Sequence, residues 1–176
     1  MIRGKQVVLR TVREGDLDAL YGYMSDVAAR GDYFPVRLVS EPAFRKQFQE
    51  TGFFTEGDAQ LLICSPDGEM LGCVWYFKTA PYLDGYEIGY HTFDPGRRGK
   101  GYMTEAVQLL VHHLFTTTKV NRLQGTVIPD NASSRRVAEK CGFRSEGILR
   151  GATYLGGTNH DLEMLSLLRS EATAPA

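Results

Sequence analysis

Residues 94–106 read DPGRRGKGYMTEA, and here residue types and spacing most clearly invite chemistry. Gly99 and Gly101 alternate with Arg97, Arg98 and Lys100 just before Tyr102, Met103 and Thr104, where an apolar helical period begins. Glycine and clustered positive charge are poor helix formers. Against a helix N-terminus they suit an anion, because first-turn N–H groups lack intrahelical partners and the helix dipole favours negative charge. The glycines remove side chains that would hold a phosphate off the backbone, so that successive N–H groups can point at its oxygens. Two familiar phosphate loops fail on spacing. A Walker loop requires G-x-x-x-x-G-K-[ST], but Gly96 and Gly99 are too close and Gly101 follows Lys100. A dinucleotide fingerprint meets Thr104 where its third glycine belongs, and it expects an early βαβ unit that this chain does not offer.

Other polar groups are less specific. Asn131, Ser133 and Ser134 open a second helical segment and compete to cap it. Glu87 lies in an apolar strand, where a carboxylate ordinarily faces solvent. His112 and His113 fall on the polar side of the long helix, and His160 stands at a turn beside Asp161. His91, inside a strand, is the histidine best placed for a role. No metal-ligand constellation emerges. Cys64, Cys73 and Cys141 are an odd set without metal-type spacing and read as buried free thiols of a reducing compartment.

These residues need elements to position them. KQVVLRTV (5–12) is β-branched and apolar, a first strand. Asp16 is a candidate N-cap for a helix carrying Leu17, Leu20, Tyr21 and Met24 on one face, and Ser40 for another with Ala43, Phe44 and Phe48. Segments 59–65 and 70–78 form a hairpin about an Asp-Gly turn, and 85–93 adds a strand interrupted by Gly89, a mark of a bulge or a close backbone approach. Met103, Ala106, Val107, Leu110, Val111, Leu114 and Phe115 define the long helix, which the β-branched Thr116–Thr118 should end. A strand at 121–129, a helix closing on Gly142 and two final strands complete the order β-α-α-β-β-β-α-β-α-β-β, a mixed α/β layer fold.

Bulk properties limit the alternatives. A chain of 176 residues fits one domain, read as 1–169, with SEATAPA at 170–176 as a disordered tail. Basic residues (20) balance acidic ones (21), which argues against bulk nucleic-acid binding. The start MIRGKQVVLR has no apolar signal core, and no run approaches the ~18 apolar residues of a membrane span. The expectation is a cytoplasmic protein with no membrane partner.

Arg98, Gly101 and residue 103 occupy the slots of R-x-x-G-x-[GA], and GRRGKGYMTEA closely resembles the loop of RimJ/RimL-type GNAT N-acetyltransferases. NASSRRVAEKCGFRSEGILR (131–150) resembles that family's second signature through Asn131, Ser134, Glu139, Lys140, Gly142 and Phe143, followed by Glu146-Gly147. VLR (8–10), EIGY (87–90) and the terminal DLEMLSLL match in order, so the resemblance spans residues 5 to 168. It implies a GNAT fold: a mostly antiparallel twisted sheet split into a V-shaped cleft and flanked by about four helices. It implies acetyl-CoA as cosubstrate, no metal, and direct acetyl transfer to a primary amine, either a protein N-terminus or a small molecule.

In that reading residues 97–104 hold the pyrophosphate, with Met103 standing where the family has a small residue, and basic side chains also serve the 3′-phosphate. Strand 85–93 runs beside the pantetheine arm, carries a bulge and splays from strand 121–129. Backbone N–H groups near His91, Thr92 and Phe93 polarise the thioester carbonyl. Asn131 contacts the CoA arm, Ser134 is the general acid near the thiol, Glu87 is the base, and Tyr154 is a further polar candidate for the cleft. Some relatives carry an acid before that tyrosine; this chain has Thr153, which keeps a non-catalytic CoA-binding module as the rival reading. Tyr21, Tyr33, Phe34, Phe44, Phe53 and Phe54 are expected to shape the acceptor side or the core. A homodimer is compatible with all of this.

Overall fold

Apolar alternation in the middle of the chain produces one continuous sheet, with helices covering both of its faces. The computed structural model describes residues 1–27, 30–34 and 38–173. In chain order the strands are β1 (Ile2–Arg3), β2 (Val8–Thr11), β3 (Asp58–Cys64), β4 (Met70–Lys78), β5 (Gly85–Thr92), β6 (Arg122–Val127), β7 (Arg144–Leu155) and β8 (Thr158–Leu168). The helices are α1 (Leu17–Ser25), α2 (Glu41–Thr51), α3 (Tyr102–Thr117) and α4 (Ala132–Lys140). Sheet order is β1-β2-β3-β4-β5-β6-β8-β7, antiparallel throughout except where β5 meets β6. The strand expected at 5–12 is β2, and an unexpected two-residue strand precedes it: a turn closed by Gly4 N–H to the Val7 carbonyl (2.8 Å) folds Ile2 and Arg3 back onto Leu9 and Val8.

On one face α3 buries Ala106, Val107, Leu110, Val111 and Leu114 against Val7, Leu9, Leu61, Ile88 and Leu123, and Phe143 beyond α4 joins the same cluster. The other face carries a smaller cluster, in which α1 (Leu17, Leu20) and α2 (Phe44) pack with Phe53, Leu62, Cys73 and Phe93. Successive strand residues feed opposite faces: Tyr86 and Ile88 join the α3 side, whereas Glu87, Gly89 and His91 alternate to the other.

Local signals act as their chemistry dictates, with two exceptions. Ser40 caps α2 by accepting from Ala43 N–H (3.4 Å), and Gly52 ends it at φ 61°. The α3 C-terminus is closed by Thr116, Thr117 and Thr118 hydroxyls returning to the carbonyls of His112, His113 and Leu114, and by Arg169, which reaches the Thr118 and Val120 carbonyls. Asp16 departs from its expected capping role. Its carboxylate is taken by the Arg10 guanidinium (2.6 and 2.9 Å) and by Arg13 N–H, so it ties β2 to the start of α1 instead. The ordered chain also runs past 169: Arg169–Glu171 form a 3-10 turn, Glu171 pairs with Arg144 (2.8 Å), and Ala172 packs on the core. Residues 174–176 of the expected tail lie outside the described residues.

Candidate active site

β5 and β6 are paired over Gly85↔Arg122, Tyr86↔Leu123 and Glu87↔Gln124, and beyond that point the parallel ladder stops. The gap opening there becomes a cleft of about 800 Å³, walled by residues 87–92 of β5, 125–127 of β6 with Ile128 after it, and the N-termini of α3 and α4. The expected V is therefore present. The expected bulge is not: β4 and β5 stay in register from Gly72↔Thr92 to Lys78↔Tyr86. Gly89 has another reason to be glycine. A Cβ there would lie 2.3 Å from the Trp75 indole, which crosses it from β4.

The loop at the cleft mouth is built by its own residues. Asp94 caps a 3-10 turn over Pro95–Arg97 by accepting from Gly96 N–H (2.7 Å). Gly99 and Gly101 then adopt φ of 76° and 88°, where L side chains are strained. The first helical bond runs from Glu105 N–H to the Gly101 carbonyl (3.0 Å), so the Tyr102, Met103 and Thr104 N–H groups emerge at the helix end. Arg98 and Lys100 line the cleft, as does Arg97, whose guanidinium is paired with Glu69 and lies 3.8 Å from Asp94. Met103 sends its side chain partly into the α3 core, so the irregular residue leaves the backbone N–H groups accessible. Glu105 anchors the first turn from behind by accepting from the N–H groups of Lys5 and Gln6.

At the other wall Asn131 is the N-cap of α4, its Oδ1 accepting from Ser134 N–H (3.1 Å) and the Ser133 hydroxyl (2.9 Å). Capping therefore falls to Asn131, which frees the Ser134 hydroxyl. That hydroxyl donates to the Tyr90 oxygen (3.0 Å), while Tyr90 donates to the Ser134 carbonyl (2.9 Å). Burial pushes the Tyr90 phenol up to about 12, so it stays protonated at neutral pH. Tyr90 escaped sequence reasoning, because nothing in EIGY says that its hydroxyl meets α4.

Glu87 is half-buried, at the point where the cleft opens. Its two oxygens accept from Gln124 Nε2 (3.1 Å) and the Thr126 hydroxyl (3.2 Å). His91 faces the cleft with its ring 4.7 Å from that of Phe34. Burial, then the nearby Arg98 and Arg30, hold its pKa down at about 4, so the imidazole is neutral. Phe93 is drawn elsewhere: its ring is 5% exposed and stacks on Tyr23 (4.4 Å) in the α1–α2 cluster, and its N–H donates to the Leu71 carbonyl (3.1 Å). By the alternation of an antiparallel ladder, Tyr90 and Thr92 direct their N–H groups into the gap. Tyr154 also stays out of the cleft. Strand alternation puts Thr153 and Leu155 on its wall and leaves Tyr154 70% exposed.

The early aromatics divide. Phe44 and Phe53 belong to the core, Tyr21 packs beside them, and Phe54 is exposed. Tyr33 and Phe34 reach the cleft, where the Tyr33 hydroxyl donates to the Asp130 carbonyl (3.3 Å) and spans from this segment to the loop before α4. Among the described residues no group of three His, Cys, Asp or Glu side chains could hold a metal ion, and no helix is long and apolar enough to cross a membrane.

The comparisons with known proteins agree with this geometry. The probable N-acetyltransferase YjcK of Bacillus subtilis is 30% identical, over 97% of this chain and 98% of that protein. The ribosomal-protein-serine acetyltransferase of Escherichia coli is 28% identical over 74% of this chain and 73% of its own length. Among solved structures, RimL, a ribosomal L7/L12 alpha-N-protein acetyltransferase in complex with coenzyme A, superposes with a TM-score of 0.82 at 25% identity, covering 94% of this chain and 95% of that one. Residues 6–144 match the acetyltransferase (GNAT) domain, and with the split sheet and the glycine loop in place, the chain belongs to the GNAT acetyltransferase family.

Proposed function

We propose that this protein transfers acetyl from acetyl-CoA to a primary amine by direct attack within the β5–β6 cleft. The observation carrying the proposal is that the cleft joins an open helix N-terminus at one end to a hydrogen-bonded carboxylate at the other, with a paired Ser–Tyr hydroxyl set on its wall. The α3 end, with Gly99 and Gly101 in left-handed conformations, suits the pyrophosphate, and Arg98 and Lys100 add charge. The pantetheine amides then lie along β5 as an added strand would, and the Thr92 N–H points toward the thioester oxygen. RimL, which shares this fold, is bound to coenzyme A.

The amine nitrogen attacks the thioester carbonyl, a C–N bond forms and the C–S bond breaks. Glu87 accepts the proton shed by the amine, directly or through a water. The departing thiolate takes a proton from the Ser134 hydroxyl, which turns from Tyr90 to give it and regains one from solvent, while Glu87 passes the amine's proton to solvent. The acceptor is an α-amino group of a protein or a small-molecule amine. RimL and the Escherichia coli relative favour the former.

Thiol release from acetyl-CoA across a panel of N-terminal peptides and small amines tests this. Turnover with at least one amine is expected, with Ser134→Ala and Glu87→Gln each lowering kcat by about 10²-fold or more. Tight CoA binding without turnover on any amine would replace the proposal with a non-catalytic CoA-binding module.

A further inference from the structure

One part of the sequence signature, Glu146-Gly147, has no place in the site described so far. It lies on the edge strand β7, which follows β6 and β8 in the sheet order from the β5–β6 opening. The β7–β8 register slips between Ser145↔Leu165 and Gly147↔Met164, leaving Glu146 as the extra residue of a bulge, with Gly147 at φ 142°. A bulge re-aims the side chain it carries. Here the carboxylate crosses β8, accepts from the Ser166 hydroxyl (2.5 Å), and receives both Nη atoms of Arg122 on β6 (2.6 and 2.6 Å).

Arg122 so clamped turns its Nε to the Gln124 side-chain oxygen (3.3 Å), and Gln124 presents its NH₂ to Glu87 (3.1 Å). Gln124 is 4% exposed, so its amide must satisfy both ends from within the fold. Only one orientation does so. A donor on one side requires the oxygen, and a carboxylate on the other requires the nitrogen. Glu87↔Gln124 is also the last rung before the sheet splits.

We infer that Glu146 is a positioning residue for the base, acting through Arg122 and Gln124 to fix how Glu87 stands at the point where the cleft opens. This rests on the reading of Glu87 as the base. Gln124 holds one oxygen of the Glu87 carboxylate and Thr126 holds the other. Among the charged or titratable groups that also line the cleft are Arg30, Asp32, Tyr33, His91, Arg98 and Lys100; the substitutions below leave all of them in place.

The test measures kcat and KM for the best amine of the panel and for acetyl-CoA in Glu87→Gln, Gln124→Met, Glu146→Ala and the Gln124→Met/Glu146→Ala double variant, with melting curves for each. Glu146→Gln, which keeps the shape, stands in should the alanine fail to fold. Glu87→Gln is impaired first. Gln124→Met then lowers kcat for the amine about tenfold, with KM for acetyl-CoA unchanged. Glu146→Ala lowers kcat/KM for the amine, and the double variant is no worse than Gln124→Met alone, because the effect passes through Gln124. An unchanged kcat in Gln124→Met, or additive losses in the double variant, overturns the relay while leaving Glu87 as the base. Full activity in Glu87→Gln overturns the base assignment, and the relay with it.

Discussion

Replacing Gly101 by alanine and by glutamate separates the two tasks assigned to the phosphate loop: holding a left-handed turn and holding an anion. At φ 88° a Cβ costs about 1–2 kcal/mol. The lower entropy of the unfolded chain returns part of this, about 0.4–1 kcal/mol. Sterics add nothing, since the nearest atom to that Cβ is Gln6 Nε2 at 3.7 Å. The net loss of about 1 kcal/mol should lower Tm by about 2–4 °C in both variants. Glutamate adds a charge. If the pyrophosphate rests on the α3 end, the new carboxylate stands roughly 5 Å from two negative charges, and even at the dielectric of water the repulsion is about 1.7 kcal/mol, more than tenfold in Kd. Calorimetric titration with CoA, paired with thermal unfolding, reads both effects. Gly101→Ala should bind CoA within a few-fold of wild type, and Gly101→Glu should lose more than about tenfold at the same Tm, with the gap narrowing in high salt. Equal CoA affinity in Gly101→Glu and wild type, with both folded, would refute the loop assignment. An unchanged Tm in both variants would refute the conformational argument.

Gly89→Ala sets a Cβ 2.3 Å from the Trp75 indole and should cost about 1–3 kcal/mol in urea denaturation, most of it recovered by adding Trp75→Leu; additive losses would mean that the indole is not the obstacle. His91 carries a folded pKa of about 4 against an ordinary 6.5, so the native state binds fewer protons than the unfolded one between those values, and stability falls as pH drops through that window. His91→Phe should flatten that part of a urea-midpoint profile, and an identical slope in the variant would place the titration elsewhere. Tyr154→Ala, at a position 70% exposed and off the cleft wall, should change stability by less than about 0.5 kcal/mol and leave kcat intact. A tenfold fall in kcat would return Tyr154 to the chemistry.

Much of the fold was legible because it rests on short-range chemistry. Apolar spacing located α3, Gly142 followed α4 in a left-handed conformation, and Ser40 capped α2. The loop at 97–104 was legible for the same reason. Positive φ at Gly99 and Gly101 and a free helix end are local properties of a dozen residues. Errors came where a side chain had a choice of partner. Asp16 was free to cap its own helix, yet the Arg10 guanidinium on β2 holds its carboxylate below the ordinary range. Gly89 could have meant a bulge; the Trp75 ring across the strand pair explains it instead.

Sequence alone thus determined a glycine loop on a helix N-terminus and the alternating strands around it, and it left Asn131, Ser133 and Ser134 competing for the α4 cap that the fold gives to Asn131. Tertiary structure decided the rest. It halted the β5–β6 ladder after Glu87↔Gln124, brought the Tyr90 hydroxyl to Ser134, turned Tyr154 outward, and carried Glu146 across β8 to Arg122. The physical reason is distance along the chain. Tyr90 and Ser134 are 44 residues apart, and Gln124 and Glu87 are 37 apart. No local propensity encodes such pairs; the register of the sheet alone sets which polar atoms meet.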